Sequence, residues 1–202
     1  MGLDKNIERD LVNYLFFELN KQKFIVVDEI FEYDVQYYIH SFLKFKFKNT
    51  RYKVKREKQK TDHIIEKYDH KNKLVGETFI ELKSFIKKHE RLNYKKIISD
   101  INKLNESRLS KNDYYFLIAL KEKHLSNKSN KYKKLIECLN NANLKKFTFE
   151  NGAKKIDSRI IRSFNTSYFI KDKLTRNNKD SYIKKFHKSQ IRVFMFQLLN
   201  NK

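Results

Sequence analysis

An α/β fold, with a central mixed β-sheet flanked by helices, is what the sequence predicts, and three observations predict it. Ile7, Leu11, Leu15 and Leu19 recur at helical spacing near the start of the chain. Ile64 to Tyr68 and Leu74 to Phe85 read as strands joined by the turn Asp69-His70-Lys71-Asn72, an antiparallel hairpin. Asp113 to Leu120, DYYFLIAL, is a nearly continuous apolar run of strand length, suited to the middle of a sheet.

The first helix runs from Asp4, an N-cap residue, to about Lys21, with Val12 and Phe16 widening its apolar stripe and Asn20 as a stop. Glu8 lies one position from that stripe and faces either solvent or a neighbouring cleft, solvent being the favoured reading. Phe24 to Val27 is a short apolar piece, strand or buried turn. Val35 to Phe47 is aromatic-rich without a clean period: Tyr37, Tyr38, His40, Phe42, Phe45 and Phe47 lie among Lys44, Lys46 and Lys48. Its end, Leu43 to Lys48, alternates apolar and basic residues and predicts a half-buried strand, with core on one side and solvent on the other. Stacking of these aromatics on bases is the less favoured reading.

Arg51 to Lys60 is a basic strand-like stretch leading to Asp62, and Gly76 marks a bulge or close approach within the hairpin. Leu92, Ile97, Ile98, Ile101 and Leu104 give a helical stripe before the apolar strand. The order of elements is therefore helix, strand, strand, strand, helix, strand. Beyond it the pattern predicts a helix over Lys131 to Asn141, a strand over Phe147 to Phe149 and a turn at Asn151-Gly152. Ile160 to Phe164 and Ile191 to Leu199 are each compatible with helix or strand, and Lys171 to Asp180 reads as a polar loop.

With 202 residues and no internal repeat or low-complexity linker, the chain is expected to be one domain, 1–202. Hydrophobic residues at 40%, with seventeen Phe and twelve Tyr, argue for a packed core, while 35% charged residues give an ionic surface. Mean hydropathy is -0.79, which agrees with a soluble protein. Lys and Arg number 46 against 24 Asp and Glu, a net charge of +22, and so basic a domain suits a polyanion such as nucleic acid. An A+T-rich coding sequence raises Lys by itself, but does not select Lys over Asp and Glu so lopsidedly. Cys138 stands alone, which excludes an internal disulfide and a CxxC zinc site. Asp4, Lys5, Glu8, Arg9 and Asp10 form no secretory leader, and the apolar runs fall far short of the roughly 20 residues of a membrane span. A reducing cytoplasm is the expected compartment; loose attraction to anionic lipid stays open.

The chemistry concentrates between Thr61 and Lys83. In the strand Thr78 to Phe85 period-two alternation puts Ile80 and Leu82 on one face, and Phe79, Glu81, Lys83 and Phe85 on the other. A carboxylate and an ammonium thus sit between two aromatics, and Asp62 supplies a second carboxylate one strand earlier. Two acids and a lysine on neighbouring strands are the residue types that metal-assisted phosphodiester cleavage needs. The plainer reading is a surface ion pair between Glu81 and Lys83. Glu66 and Glu77 flank the hairpin and replace Asp62 if the strand register differs. Asp69-His70 followed by Asn72 starts a His/Asn-type nuclease motif without a matching downstream His, and the six histidines form no zinc pattern.

The Asp62 … Glu81-Leu82-Lys83 arrangement resembles the PD-(D/E)XK nuclease superfamily, over the span from roughly Asp4 to Leu120 and in its order of elements. Thr61 stands where that family has Pro before the aspartate. The resemblance implies a restriction-endonuclease-like core over about 4–122. It implies that Asp62 and Glu81, helped by the backbone carbonyl of Leu82, ligate Mg²⁺, with Mn²⁺ able to substitute. Lys83 would orient the attacking water, and Glu8 would hold a metal through water. The basic part, about 131–202, is expected to meet DNA, with Arg159, Arg162, Arg176 and Asn177 able to read base edges. The expected activity is a Mg²⁺-dependent endonuclease cutting duplex DNA, a type II restriction enzyme working as a homodimer beside a cognate methyltransferase. The alternatives are a non-catalytic nucleic-acid-binding protein on a degenerate nuclease fold, or a nuclease subunit of a larger defence or transposition complex.

Overall fold

The structure, a computed structural model, describes residues 3–21, 30–58, 61–86, 92–106, 112–126, 132–152, 154–163 and 191–199. Helices α1 (Lys5–Lys21) and α2 (Glu32–Lys46) precede the hairpin strands β1 (Tyr52–Lys58), β2 (Thr61–Tyr68) and β3 (Leu74–Phe85). There follow α3 (Tyr94–Glu106), β4 (Asp113–Lys121), a 3₁₀ turn at Glu122–Ser126 and α4 (Lys133–Asn140). The strands β5 (Lys146–Asn151), β6 (Lys154–Arg162) and β7 (Ile191–Leu198) complete the order. Phe24 to Val27 and the Lys171 to Asp180 loop lie outside the described residues.

All seven strands form one mixed sheet, ordered β1-β2-β3-β4-β7-β6-β5, so the fold class is α/β. Only β3 and β4 run parallel, and α3 makes the crossover that a parallel pair requires. The β7 strand pairs with β4, which joins the C-terminal strands to the same sheet as the hairpin. Side-chain alternation then builds two cores. Leu11 and Leu15 of α1 and Ile39 and Leu43 of α2 pack on Ile80, Leu82, Tyr115 and Leu117. Ile97 and Ile101 of α3 and Leu135 and Leu139 of α4 cover the other face, with Phe79, Phe85, Phe116 and Phe194. Among the described residues no helix is long and apolar enough to cross a membrane.

The local signals act as their chemistry dictates. Asp4 Oδ1 accepts the N–H of Asn6 at 2.7 Å, capping α1. Asp69 Oδ1 accepts the N–H groups of Lys71 and Lys73, and Asn72 takes a positive φ of 58°, closing the β2–β3 turn. Register shifts beside Gly76, where Lys67 pairs with Gly76 but Tyr68 with Leu74, so the expected bulge is there. Gly152, at φ +58°, turns β5 into β6.

Leu43 to Lys48 differs from the strand its alternation predicts: as far as Lys46 it is the last turn of α2. Val35, Ile39, Phe42 and Leu43 recur at three- and four-residue steps, and burying that stripe outweighs a short period-two pattern. Phe45, placed on the core side by strand alternation, is instead 76% exposed, while Leu43 is fully buried. Truncating Leu43 to Ala should therefore lower stability by about 2–5 kcal/mol, and Phe45→Ser should stay within about 0.5 kcal/mol, as read by urea unfolding. Equal losses at the two positions would contradict the helical assignment.

Candidate active site

The β2–β3 ladder ends at His63 opposite Ile80, and β3 runs on past the start of β2. Backbone N–H groups on that edge of β3 then lack strand partners, and an unpaired N–H is costly to bury. Two carboxylates fill the gap. Asp62 Oδ2 accepts the N–H of Leu82 at 2.6 Å, and Glu32 Oε2, from the first turn of α2, accepts that of Ser84 at 3.0 Å. Gln36, one helical turn after Glu32, donates to Asp62 Oδ1 at 2.5 Å and accepts from Arg56 of β1 at 3.0 Å.

Glu81 lies one position beyond the last ladder pair, opposite Asp62 and on the same sheet face. Lys83 extends along that face with its Nζ 3.2 Å from Asp100 Oδ2 and 3.6 Å from Glu32 Oε1. Asp100 comes from α3, only 7% exposed, and also meets Lys103 at 2.9 Å. The structure thus gathers Asp62, Glu81 and Lys83 with Glu32, Gln36 and Asp100.

Proton affinities record the crowding of negative charge. Burial, with Asp62 and Asp100 adding to it, pushes Glu81 up to about 8. Burial likewise raises Asp62 to about 6, although the Leu82 N–H pulls the other way. For Lys83, burial lowers the pKa, but Glu32, Asp100 and Glu81 outweigh it and hold the ammonium protonated above its usual range. His63, fully buried behind Asp62 on the α2 side, falls to about 3 through burial and its neighbour His40.

The remaining sequence candidates sit elsewhere. Glu8 is not solvent-facing but 1% exposed, on the opposite face of the sheet, where it accepts from Tyr115 Oη at 2.8 Å and Arg159 Nη2 at 2.6 Å. A buried carboxylate needs such a partner, and Arg159 is held further by Gln197 at 2.9 Å. Arg162, on the other face of β6, donates to the carbonyl of Cys138 at 2.8 Å. The register places Asp62, not Glu66, beside Glu81, and pairs Glu66 with Glu77. Those two lie about 13 Å along the strands, with Glu66 taken by Lys55 at 2.5 Å and Tyr68 at 2.6 Å. Arg176 and Asn177 lie outside the described residues.

Asp100, Glu32 and Gln36 are absent from the sequence reading, yet each left a signal. Asp100 occupies an i+3 position within the apolar stripe Ile97, Ile101, Leu104, where an acid has no reason to be buried unless paired. Glu32, Gln36 and His40 step by four along α2, a polar stripe beside an apolar one.

Among the described residues no three acidic, His or Cys side chains are grouped to hold a metal by themselves. Mg²⁺, however, takes one or two carboxylates and keeps waters and phosphate in its other positions. Two facing carboxylates whose burial raises their proton affinity, Glu81 more than Asp62, are the donor chemistry a hard divalent cation relieves, and the set fits. No protein-family model matches the chain, and no curated protein matches it in sequence.

A pH dependence of stability follows. Glu81 and Asp62 have raised folded-state pKa values, so their contributions are full below about pH 4 and decline as pH rises towards 6 and 8. His63 has a lowered one, so its contribution is full above 6.5 and lost as pH falls towards 3. Between pH 6.5 and 8 only Glu81 of the three differs between folded and unfolded chains. Stability of the metal-free protein should fall there by up to about 1.4 kcal/mol per pH unit, and Glu81→Gln should flatten the slope in denaturant titrations across that window. An unchanged slope in the variant would contradict the assigned cause.

Proposed function

We propose that the protein is a divalent-metal-dependent nuclease that hydrolyses phosphodiester bonds of DNA, a restriction-type endonuclease. The observation that carries this reading is the facing pair Asp62 and Glu81 with Lys83 on the same face, at the open end of the β2–β3 hairpin. Asp62, Glu81 and the Leu82 carbonyl would hold Mg²⁺, which when bound polarises the scissile phosphate and makes a bound water more acidic. Lys83, kept protonated by Asp100 and Glu32, would orient that water and offset charge growing on the phosphate oxygens. Asp100 acts as a positioning residue through Lys83. Gln36 and the Leu82 N–H fix the Asp62 carboxylate while each oxygen retains a lone pair for the cation. The +22 charge supplies affinity for the phosphate backbone. Cutting both strands calls for a homodimer, and a restriction role calls for a methyltransferase of matching specificity.

A second reading has its own observation. Both Asp62 oxygens already accept hydrogen bonds and Lys83 already has acidic partners, so the cluster is also a sufficient cap for the open edge of β3. On that reading the protein binds nucleic acid without cutting it.

Plasmid DNA incubated with Mg²⁺ separates the two. Wild type should nick or linearise it, EDTA should stop the reaction, and Asp62→Ala and Lys83→Ala should each slow it by roughly a hundredfold or more while retaining the fold by circular dichroism. Full cleavage by both variants would sink the site assignment, and salt-sensitive binding without product under Mg²⁺ or Mn²⁺ would favour the second reading.

A further inference from the structure

Helix α2 presents a second surface, away from the carboxylates. Tyr33 and Tyr37 are 59% and 60% exposed on its outer side, and Phe31 stacks on Tyr33 with ring centroids 5.4 Å apart. At 100° per residue, Tyr33, Tyr37 and Lys44 fall within about 40° of one another around the helix axis, opposite the buried Val35, Ile39 and Phe42. Glu32 and Gln36, each one residue earlier, turn about 100° away to Ser84 and Asp62. One helix therefore touches the candidate site with one flank and holds bare aromatic rings on the next.

The C-terminal end of α2 leads into a cleft of about 430 Å³, lined by Lys44, Lys48 and Lys53 beside Tyr52 and, among the described residues, by no carboxylate. Exposed rings are costly for a monomer to leave in water; the first-turn carboxylates beside them are engaged, Glu32 with the Ser84 N–H and Asp34 with the Phe31 N–H, and Lys44 follows about 10 Å beyond Tyr37 on the same stripe, so the face matches a partner that is both planar and anionic. Nucleic acid is such a partner only where bases are unpaired. In a duplex the base faces are stacked on one another, whereas a single strand offers them to aromatic side chains while its phosphates meet lysine.

We infer that the outer face of α2 is a stacking platform for an unpaired segment of the nucleic-acid substrate, held by Tyr33 and Tyr37 and by Lys44 and Lys48 at the mouth of the basic cleft. This rests on the nuclease reading for its purpose: a strand lying on α2 is delivered to the edge where Asp62 and Glu81 meet. On this inference the platform holds a single-stranded stretch adjoining the duplex that is cut, such as a frayed end, flap or gap.

The test reads binding, not cleavage. A single-stranded oligonucleotide carrying 2-aminopurine is titrated with the protein in EDTA, beside a duplex of the same sequence, and fluorescence and anisotropy are recorded together. Wild type should quench the single-stranded probe. Tyr33→Ala combined with Tyr37→Ala should weaken single-strand binding by at least about tenfold and abolish quenching, with duplex affinity unchanged. Tyr33→Phe with Tyr37→Phe keeps the rings and should behave as wild type. Undiminished strand binding and quenching in the Ala pair would overturn the inference. So would conversion of a dimer to a monomer by the Ala pair with strand binding intact, which would assign the face to a second copy. Because EDTA removes the metal, a protein that quenches but never cuts retains the platform and loses the nuclease reading. One that cuts duplex DNA equally well without the tyrosines, and quenches no probe, retains the nuclease reading and loses the platform.

Discussion

The Asp62 carboxylate accepting the N–H of Leu82 is the contact on which the candidate site is built. It exists because β3 outruns β2 beyond His63 and Ile80 and leaves N–H groups without strand partners on a sheet edge. A water-exposed edge would solve this with solvent, but Leu82 is fully buried and its neighbours are helices. The fold supplies carboxylates instead, from β2 and from α2. Their placement in turn brings Asp62 beside Glu81 and Glu32 beside Lys83. A backbone requirement has thereby set the positions of the side chains of the candidate site.

Charge balance follows from that placement. Four carboxylates, of Asp62, Glu81, Asp100 and Glu32, crowd one end of the sheet against Lys83, Lys103 and Arg56. Burial and mutual repulsion raise the proton affinity of the cluster, most of all at Glu81. Taking up a proton there costs less than keeping unpaired anions in a dry site. The opposite face of the sheet resolves a similar demand differently: Glu8 remains paired with Arg159 and Tyr115. Comparable acids thus serve as a lock in one place and a candidate metal site in the other, and a partner guanidinium marks the difference.

The sequence disclosed the parts whose physics is local. The hairpin, its bulge at Gly76, the Glu81-x-Lys83 face and the apolar strand Asp113 to Leu120 follow from period-two alternation and turn chemistry within a few residues. What stayed hidden depends on tertiary placement. Glu8 lies beside an apolar stripe like any surface acid, and only packing against Tyr115 of β4 and Arg159 of β6 buries it. Asp100 and Glu32 stand out only within their own helices, and no spacing ties them to Lys83. Leu43 to Lys48 misled because a strand pattern of six residues also fits the last turn of a helix whose stripe begins earlier, at Val35. Once that segment is helical, the aromatics of α2 divide into buried and exposed.

The central claim is that Asp62 and Glu81 together form a metal site. Diffraction from crystals grown with Mn²⁺, recorded at a wavelength where manganese scatters anomalously, addresses it most directly. The account predicts one anomalous peak between these two carboxylates and the Leu82 carbonyl, at oxygen distances near 2.2 Å as expected for a hard divalent ion. Crystals saturated with Mn²⁺ that show no peak there, with Asp62 still closed on Gln36 and Leu82, would contradict it.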